Sequence, residues 1–153
     1  MLELPHALAG ATIASKLNNP FLVFPLAFLS NFLLDILPHW NPHLYTEITR
    51  DHKISQKSKL IVFTDTTLAL FTGTALALRF YPDFSKILLV LFSCFFAVLA
   101  DLLEAPYFFL NSQNKYILKL ISFQRRLQWN VPPTFGILSQ IIFIAFCFFL
   151  IFS

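Results

Sequence analysis

Long apolar runs alternate with short polar segments along most of this chain. The four longest runs lie at about residues 20–38, 60–80, 86–105 and 134–152. Each approaches the ~20 residues that an α-helix needs to cross a bilayer. A shorter, alanine-rich run at 5–17 ends at an Asn-Asn-Pro turn signal and forms either a fifth span or a helix packed against the others. The pattern predicts an all-α bundle of four to five transmembrane helices.

The composition indicates a membrane protein rather than a soluble one. Of the 153 residues, 57% are hydrophobic and 12% are charged, whereas a soluble domain carries about 25% charged residues. We therefore interpret residues 1–153 as a single integral membrane domain. The basic residues are spread thinly between apolar runs, which excludes a nucleic-acid-binding tail. Cys94 and Cys147 lie inside apolar runs, which indicates buried or lipid-facing thiols.

Basic residues are concentrated in two joining segments. Segment 39–59 carries four Lys or Arg residues against two acids, and segment 106–133 carries four with no acid. Alternating spans put both segments on one side of the membrane, and the positive-inside rule makes that side cytoplasmic. Residues 114–129 combine apolar and basic positions in the way expected of an amphipathic helix that lies in the membrane interface.

Ionisable side chains fall at the predicted cytoplasmic ends of several helices. They are His6, Asp35, His39, Asp65, Asp101 and Glu104. An ionisable group inside an apolar helix is costly and requires a partner. Because four predicted helices deliver such groups to one leaflet, we expect the groups to meet and to form the functional site.

The spacing of these residues supports the same expectation. Asp35 and His39 are four residues apart, so a helix that continues that far points both at one place, although Pro38 kinks its last turn. Asp101 and Glu104 are three apart and share a helix face. Two carboxylates in a medium of low dielectric constant repel each other unless a proton or cation lies between them.

A divalent metal ion would satisfy this arrangement. Imidazole nitrogens and carboxylate oxygens are ligands of catalytic zinc and of related metals, so we predict zinc, with manganese or magnesium as alternatives. The predicted ligands are His6, Asp35, His39, Asp101 and Glu104. Water bound to such a metal attacks phosphoryl or acyl groups.

Other residues are assigned supporting roles around this predicted metal. Asp65 or His52 would act as the general base or orient a ligand. The basic side chains of Lys53, Arg125 and Arg126 would hold an anionic substrate. Plainer roles exist for most of them: Asp65 as a helix-terminus carboxylate, His52 as a loop residue, and both arginines as contacts of lipid headgroups.

Several blocks of the sequence resemble a known family. They are PHALAG at 5–10, LAFLSNFLLDILPHW at 26–40, ADLLEAPYF at 100–108, and FQRRLQ followed by PPTFGILSQ within 123–140. Together they are similar to the membrane-bound metal-dependent hydrolases of bacteria and archaea, which include LexA-binding, inner-membrane-associated proteins. The resemblance implies a divalent-metal hydrolase in a prokaryotic cytoplasmic membrane. It supports the predicted metal ligands.

The chain departs from that family's pattern at two places. Asn31 stands one turn before Asp35 where the family leads us to expect histidine. Gln124 and Arg125 stand where we expect a histidine-rich pair. An inactive relative of these hydrolases is therefore one alternative interpretation.

The sequence as a whole predicts a membrane hydrolase that acts on a phosphoester, such as a lipid headgroup or a lipid-linked phosphate. Its partners would be membrane lipids and a lipid-like or phosphorylated substrate. The alternative class is a small transporter whose carboxylates relay protons or cations. Threonines at positions 64, 66, 67, 72 and 74 favour that alternative, because they could line a polar track along one helix.

Overall fold

Seven α-helices make up 79% of the protein, in a computed structural model that describes residues 1–153. The helices are α1 (Glu3–Lys16), α2 (Pro20–Asp35), α3 (Leu44–Asp51), α4 (Gln56–Leu78), α5 (Phe84–Leu110), α6 (Lys115–Leu127) and α7 (Pro133–Phe152). Two short strands, β1 (Pro38–His39) and β2 (Trp129–Asn130), pair in parallel. The predicted all-α class is confirmed. The strand pair was not predicted, because two residues are too few to give a sequence pattern.

Three helices are long and apolar enough to cross a membrane. They are α4, α5 and α7, with 23, 27 and 20 residues. Helix α2 is apolar but has 16 residues, which at the rise of an α-helix gives about 24 Å against a hydrocarbon core of about 30 Å. Helix α1 has 14 residues. The predicted count of four to five spans is therefore not confirmed.

Side-chain caps explain where most of the helices begin. The cap residues that accept a hydrogen bond from a backbone N–H in the first turn are Asn19, Ser55, Asp83 and Asn114. They satisfy N–H groups that have no partner within the helix. Pro20 follows the first of these caps, at the position where its fixed φ angle favours a helix start.

Helix α1 lies at the centre of the bundle and contacts α2, α4, α5 and α7. It is the helix that the sequence predicted as either a fifth span or a packed helix, and its small buried residues allow the close packing. At Gly10 an added Cβ would lie 2.5 Å from the carbonyl oxygen of Ser93 on α5. The Ser93 hydroxyl donates to the Gly10 carbonyl at 2.8 Å. Small residues of this kind let two helix backbones meet directly.

The outer surface of the bundle is strongly apolar. Phe71 on α4 and Phe149 on α7 are 74% and 69% exposed, and many Leu, Ile and Phe side chains on the other helices are exposed in the same way. An apolar surface this continuous is unfavourable in water and favourable in lipid. Together with the three long apolar helices, it indicates membrane association.

Candidate functional site

Two histidines and two aspartates meet at one end of the bundle. His6 from α1 has its Nε2 atom 3.7 Å from Oδ1 of Asp35 and 3.9 Å from Oδ2 of Asp101. His39 has its Nε2 atom 3.8 Å from the same Asp35 oxygen. The side chains of His6, Asp35 and His39 are fully buried. We call these four residues the histidine–aspartate cluster. The predicted convergence of these four residues is confirmed.

His39 reaches the cluster by a route that the sequence did not predict. Helix α2 ends at Asp35 instead of continuing to His39, and the chain then forms β1. His39 pairs with Asn130 of β2, and its carbonyl accepts from the Val131 N–H at 3.0 Å. The expectation that a continuous helix would bring His39 next to Asp35 is therefore wrong. The pairing of β1 with β2 positions the His39 imidazole instead.

Helix α7 supports this strand from the other side. An added Cβ at Gly136 would lie 2.5 Å from Cβ of Trp40 and 2.6 Å from the carbonyl carbon of His39. Gln140, one turn further along α7, donates to the Trp40 carbonyl at 2.9 Å and accepts from the Leu2 N–H at 3.0 Å. The segment that carries His39 is thus fixed between β2 and α7.

The hydrogen bonds of the cluster define the state of its histidines. Nδ1 of His39 lies 2.8 Å from the Leu37 carbonyl, which can only accept, so Nδ1 carries the proton and Nε2 carries a lone pair. Burial, followed by the charge of the Met1 amino group, lowers the pKa of His39 to about 4. The imidazole is therefore neutral near pH 7. Neither ring nitrogen of His6 has a hydrogen-bond partner.

Asp35 provides the charge at the centre of the cluster. Its Oδ1 atom accepts from the Met1 amino group, and its Oδ2 atom is buried without a partner. Nε2 of His39 lies 3.8 Å from the same Oδ1 atom and has no hydrogen-bond partner of its own. Burying a ring nitrogen and a carboxylate oxygen without partners is unfavourable, so both atoms are available to a further cation or hydrogen-bond donor.

The donor set suits a divalent metal in its chemistry. Neutral imidazole nitrogens and carboxylate oxygens are typical ligands of zinc, and the unpartnered nitrogens of His6 and His39 are free to bind one. The side chains do not form a closed group, however: no set of three or more His, Cys, Asp and Glu residues is arranged to hold a metal ion. Metal binding by these residues therefore stays a prediction.

Two amide side chains hold Asp101 beside the cluster. Asn31 donates to Oδ2 of Asp101 at 2.5 Å and to the Ala97 carbonyl at 2.9 Å. Gln124 donates to Oδ1 of Asp101 at 3.2 Å and to Oδ1 of Asn31 at 2.9 Å. We call Asn31, Gln124 and Asp101 the amide network. Asn31 and Gln124, two of the three positions where the family resemblance leads us to expect histidine, are therefore hydrogen-bonded to each other and to a predicted ligand.

A cavity of about 650 Å³ adjoins Asp101. It lies between α1, α4, α5, α6 and residues 41–46, and its volume is within the range of small-molecule pockets. The acidic side chains that line it are Glu3, Asp65, Asp101 and Glu104. Glu104 is 8% exposed, and its Oε1 atom has no hydrogen-bond partner. It forms no ion pair with either histidine of the cluster.

Asp65 has a structural task at the start of α1. Its carboxylate accepts from the N–H groups of Glu3 at 2.5 Å and of Leu4 at 3.2 Å. It therefore caps the helix that carries His6, where the helix dipole favours a negative charge. Since both of its oxygens are used, Asp65 suits a role in positioning α1 better than a role in proton transfer.

Arg125 is the basic residue that lines the cavity. Its guanidinium lies 3.7 Å from the ring centre of Tyr45, whose ring stacks on Tyr107. It forms no ion pair with an acidic side chain. The sequence identified Arg125 but gave no signal for Tyr45 as its support, because the two lie in different segments.

Three residues with predicted roles lie outside this site. His52 and Lys53 are exposed at the end of α3, and Arg126 is exposed on α6; none of them lines the cavity. Glu3, in contrast, lines the cavity but was not predicted as a site residue, since a single acid near the start of the chain carries no spacing signal. No protein-family model, curated protein or solved structure matches this chain.

Proposed function

We propose that the protein is a membrane-embedded, metal-dependent hydrolase that acts on a lipid-linked phosphoester. The observation that carries this proposal is the buried convergence of the two histidines on Asp35, with Nε2 of His6 and of His39 3.7 and 3.8 Å from its Oδ1 atom and neither nitrogen in a hydrogen bond. A divalent cation would bind these two nitrogens and the free Oδ2 atom of Asp35, whose Oδ1 atom accepts from the Met1 amino group. The similarity of the sequence blocks to membrane-bound metal-dependent hydrolases supports the same reaction class.

Each residue of the cluster would have a distinct role. His6, Asp35 and His39 would bind the metal, and zinc suits their mixed nitrogen and oxygen donors best. Asp101 would be the fourth ligand, with its orientation fixed by the amide network. When bound, a metal of this kind activates water and polarises a phosphoryl oxygen. Asp65 would position His6 by capping α1.

The surroundings of the cluster favour a lipid substrate. The cavity has a polar end, which includes Asp101 and Arg125, and an apolar part between α4 and α5. The charge bias of segments 39–59 and 106–133 favours a site at the cytoplasmic leaflet of a prokaryotic cytoplasmic membrane. Arg125 would contact the phosphate, whereas Arg126 and Lys53 would at most attract anionic lipids from the surface.

Metal content and turnover of the detergent-purified protein test this proposal together. We expect about one zinc ion per chain by elemental mass spectrometry, and phosphate release from a panel of phospholipids and lipid phosphates. Asp35→Asn and His39→Ala should lose both. The matched control is His52→Ala, because it removes an exposed histidine outside the site. Full metal content in the Asp35 and His39 variants, or unchanged turnover when Asp35 and Asp101 both become Asn, would refute the assignment.

An inactive relative of these hydrolases is the second candidate. The amide network favours it, because Asn31 and Gln124 bind weakly to metals and instead satisfy Asp101 by hydrogen bonds. This interpretation predicts no turnover on any phosphoester. If this interpretation holds, the double variant Asn31→His, Gln124→His should bind more metal than the wild type. If the protein is instead an active enzyme, the same double variant should have lower turnover.

A small proton or cation transporter is the third candidate. Thr66 and Thr74 on α4 both line the cavity and extend polar surface away from the acids. A transport role predicts ion flux into vesicles that contain the protein, with loss of flux in a Glu104→Gln variant. Turnover without flux would exclude it.

A further inference from the structure

The four acids that line the cavity are not equivalent. Asp65 accepts two backbone hydrogen bonds from α1, and Asp101 accepts from the amide network. Glu3 and Glu104 each keep a buried carboxylate oxygen without any partner. Leaving a carboxylate oxygen buried and unpaired is unfavourable. A ligand with a positively charged, hydrogen-bond-donating group would satisfy such an oxygen, above all that of Glu104, whose side chain is the more deeply buried.

The same cavity also offers one group for an anion. Arg125 lines it without an acidic partner and is held against Tyr45. A guanidinium in this position suits a phosphate, which it can bind through two parallel hydrogen bonds. A purely anionic headgroup would meet one arginine and four carboxylates, so its net electrostatic interaction would be poor. A zwitterionic headgroup would have a more favourable electrostatic interaction with this cavity.

An apolar groove leads away from this polar end. Its walls are side chains on one face of each of two helices, including Val62, Ala69 and Leu70 on α4 and Leu91, Phe95 and Val98 on α5. From residue 62 to residue 73 the groove runs about 16 Å along α4. At Gly73 the two helices lie close together, because an added Cβ would lie 3.3 Å from Sγ of Cys94. The cavity volume of about 650 Å³ suits a headgroup with one acyl chain rather than two.

We infer that the cavity binds a single-chain lipid with a phosphate and a primary amine in its headgroup. The phosphate contacts Arg125, the ammonium contacts Glu104, and the acyl chain lies in the α4–α5 groove. This inference deepens the proposed function, because it names the substrate class of the same site. It has no chemical step of its own and concerns binding alone.

Competition binding in detergent, with a chelator present to prevent turnover, tests the inference separately from hydrolysis. The probes are lysophosphatidylethanolamine and lysophosphatidylglycerol, which share a chain and a phosphate and differ in the amine. We expect the wild-type protein to prefer the ethanolamine lipid by about tenfold, the value of one charge-assisted hydrogen bond. Glu104→Gln should abolish this preference and keep the binding of both lipids.

Matched variants test the other two contacts. Arg125→Gln should weaken the binding of both lipids about tenfold. Arg126→Gln should leave it unchanged, because this neighbouring arginine, exposed like Arg125, does not line the cavity. Val98→Phe should fill the groove and weaken the binding of long-chain lipids more than the binding of short-chain lipids. Leu103→Phe is its control, since Leu103 is exposed on α5 and does not line the cavity.

Each outcome decides the inference. Equal affinity for the two headgroups in the wild-type protein, or equal effects of the Arg125 and Arg126 variants, would overturn it even if the protein hydrolyses lipids. A preference for the ethanolamine lipid that disappears in Glu104→Gln and persists in the control variants would support the inference. If the protein shows this preference but hydrolyses no lipid, the binding inference stands and the proposed reaction is refuted.

Discussion

Gly136→Ala is the sharpest test of how the site is assembled. The added methyl group would lie 2.5 Å from Cβ of Trp40 and 2.6 Å from the carbonyl carbon of His39. Carbon atoms normally approach to about 3.5–4.0 Å, so α7 and the β1 segment must separate by about 1 Å. The neighbour is backbone that is fixed by hydrogen bonds, so it cannot move aside as a flexible side chain would.

Two opposing effects set the magnitude of this change. Overpacking of this kind costs about 1–3 kcal/mol. Alanine in place of glycine favours the helix by at most about 1 kcal/mol, and less in the first turn, where Gly136 lies. We therefore expect the free energy of unfolding to fall by about 1–2 kcal/mol. For a protein of this size that corresponds to a Tm about 2–8 °C lower.

Thermal unfolding in detergent, monitored by tryptophan fluorescence, measures both the loss of stability and the disturbance of the contact between α7 and β1. Trp40 and Trp129 are the two tryptophans and lie beside or within the strand pair, so their emission reports on the disturbed contact. Gly73→Ala is the matched control: its Cβ would lie 3.3 Å from Sγ of Cys94, and the helix preference should leave stability equal or slightly higher. If Gly136→Ala equals the wild type in Tm and emission, the packing of α7 on β1 is wrong.

Three further changes have definite expected results. Asp65→Ala removes the cap of α1 and should lower stability by about 1–2 kcal/mol in thermal unfolding; an unchanged Tm would contradict the capping role. Gln124→Leu leaves buried acceptors of the amide network unpaired and should lower the free energy of unfolding by about 1–3 kcal/mol, whereas Ser122→Ala at an exposed position nearby on α6 should change it little. The hydrogen bond from the Ser58 hydroxyl is the main reason that the pKa of Glu47 lies below its ordinary value of about 4.5. This contact therefore stabilises the loop fully at a pH above that ordinary value. The stabilisation is lost as the pH falls through the lowered pKa of the folded protein. Amide hydrogen exchange in residues 47–58 should therefore rise on acidification in the wild type and change less with pH in Glu47→Gln.

The fold was largely predictable because long apolar runs leave few alternatives. The four predicted runs correspond to α2, α4, α5 and α7. The end of α2 was harder to predict, because the run stays apolar through Leu37 while the helix ends at Asp35. Pro38 was a signal for this end, since the residue before a proline disfavours the helical conformation. The number of membrane-crossing helices depends on a few residues of length at each end, which apolar patterning cannot fix.

The ionisable residues of the site were predictable, because a buried charged group requires a partner of opposite charge or a hydrogen-bond partner. His6, Asp35, His39 and Asp101 could be expected to meet, because each is an ionisable group in or beside an apolar helix. The contacts made by Asn31 and Gln124 could not be predicted in the same way. An amide forms hydrogen bonds with many partners, and its burial leaves no distinctive spacing. Asp65 was predicted as a base or an orienting residue, and the finding that it caps α1 depends on packing that is remote in sequence.

The position of Gln140 has a consequence for the order in which the protein is made. This residue of α7 joins Leu2 to the Trp40 carbonyl, and Gly136 supports His39 from the same helix. The histidine–aspartate cluster therefore cannot reach its final arrangement before α7 has been synthesised and inserted. Until then, Asp35 lacks His39 in its final position, because the His39 segment is held between β2 and α7. The cluster is therefore completed only when the last helix of the chain has packed against the first two.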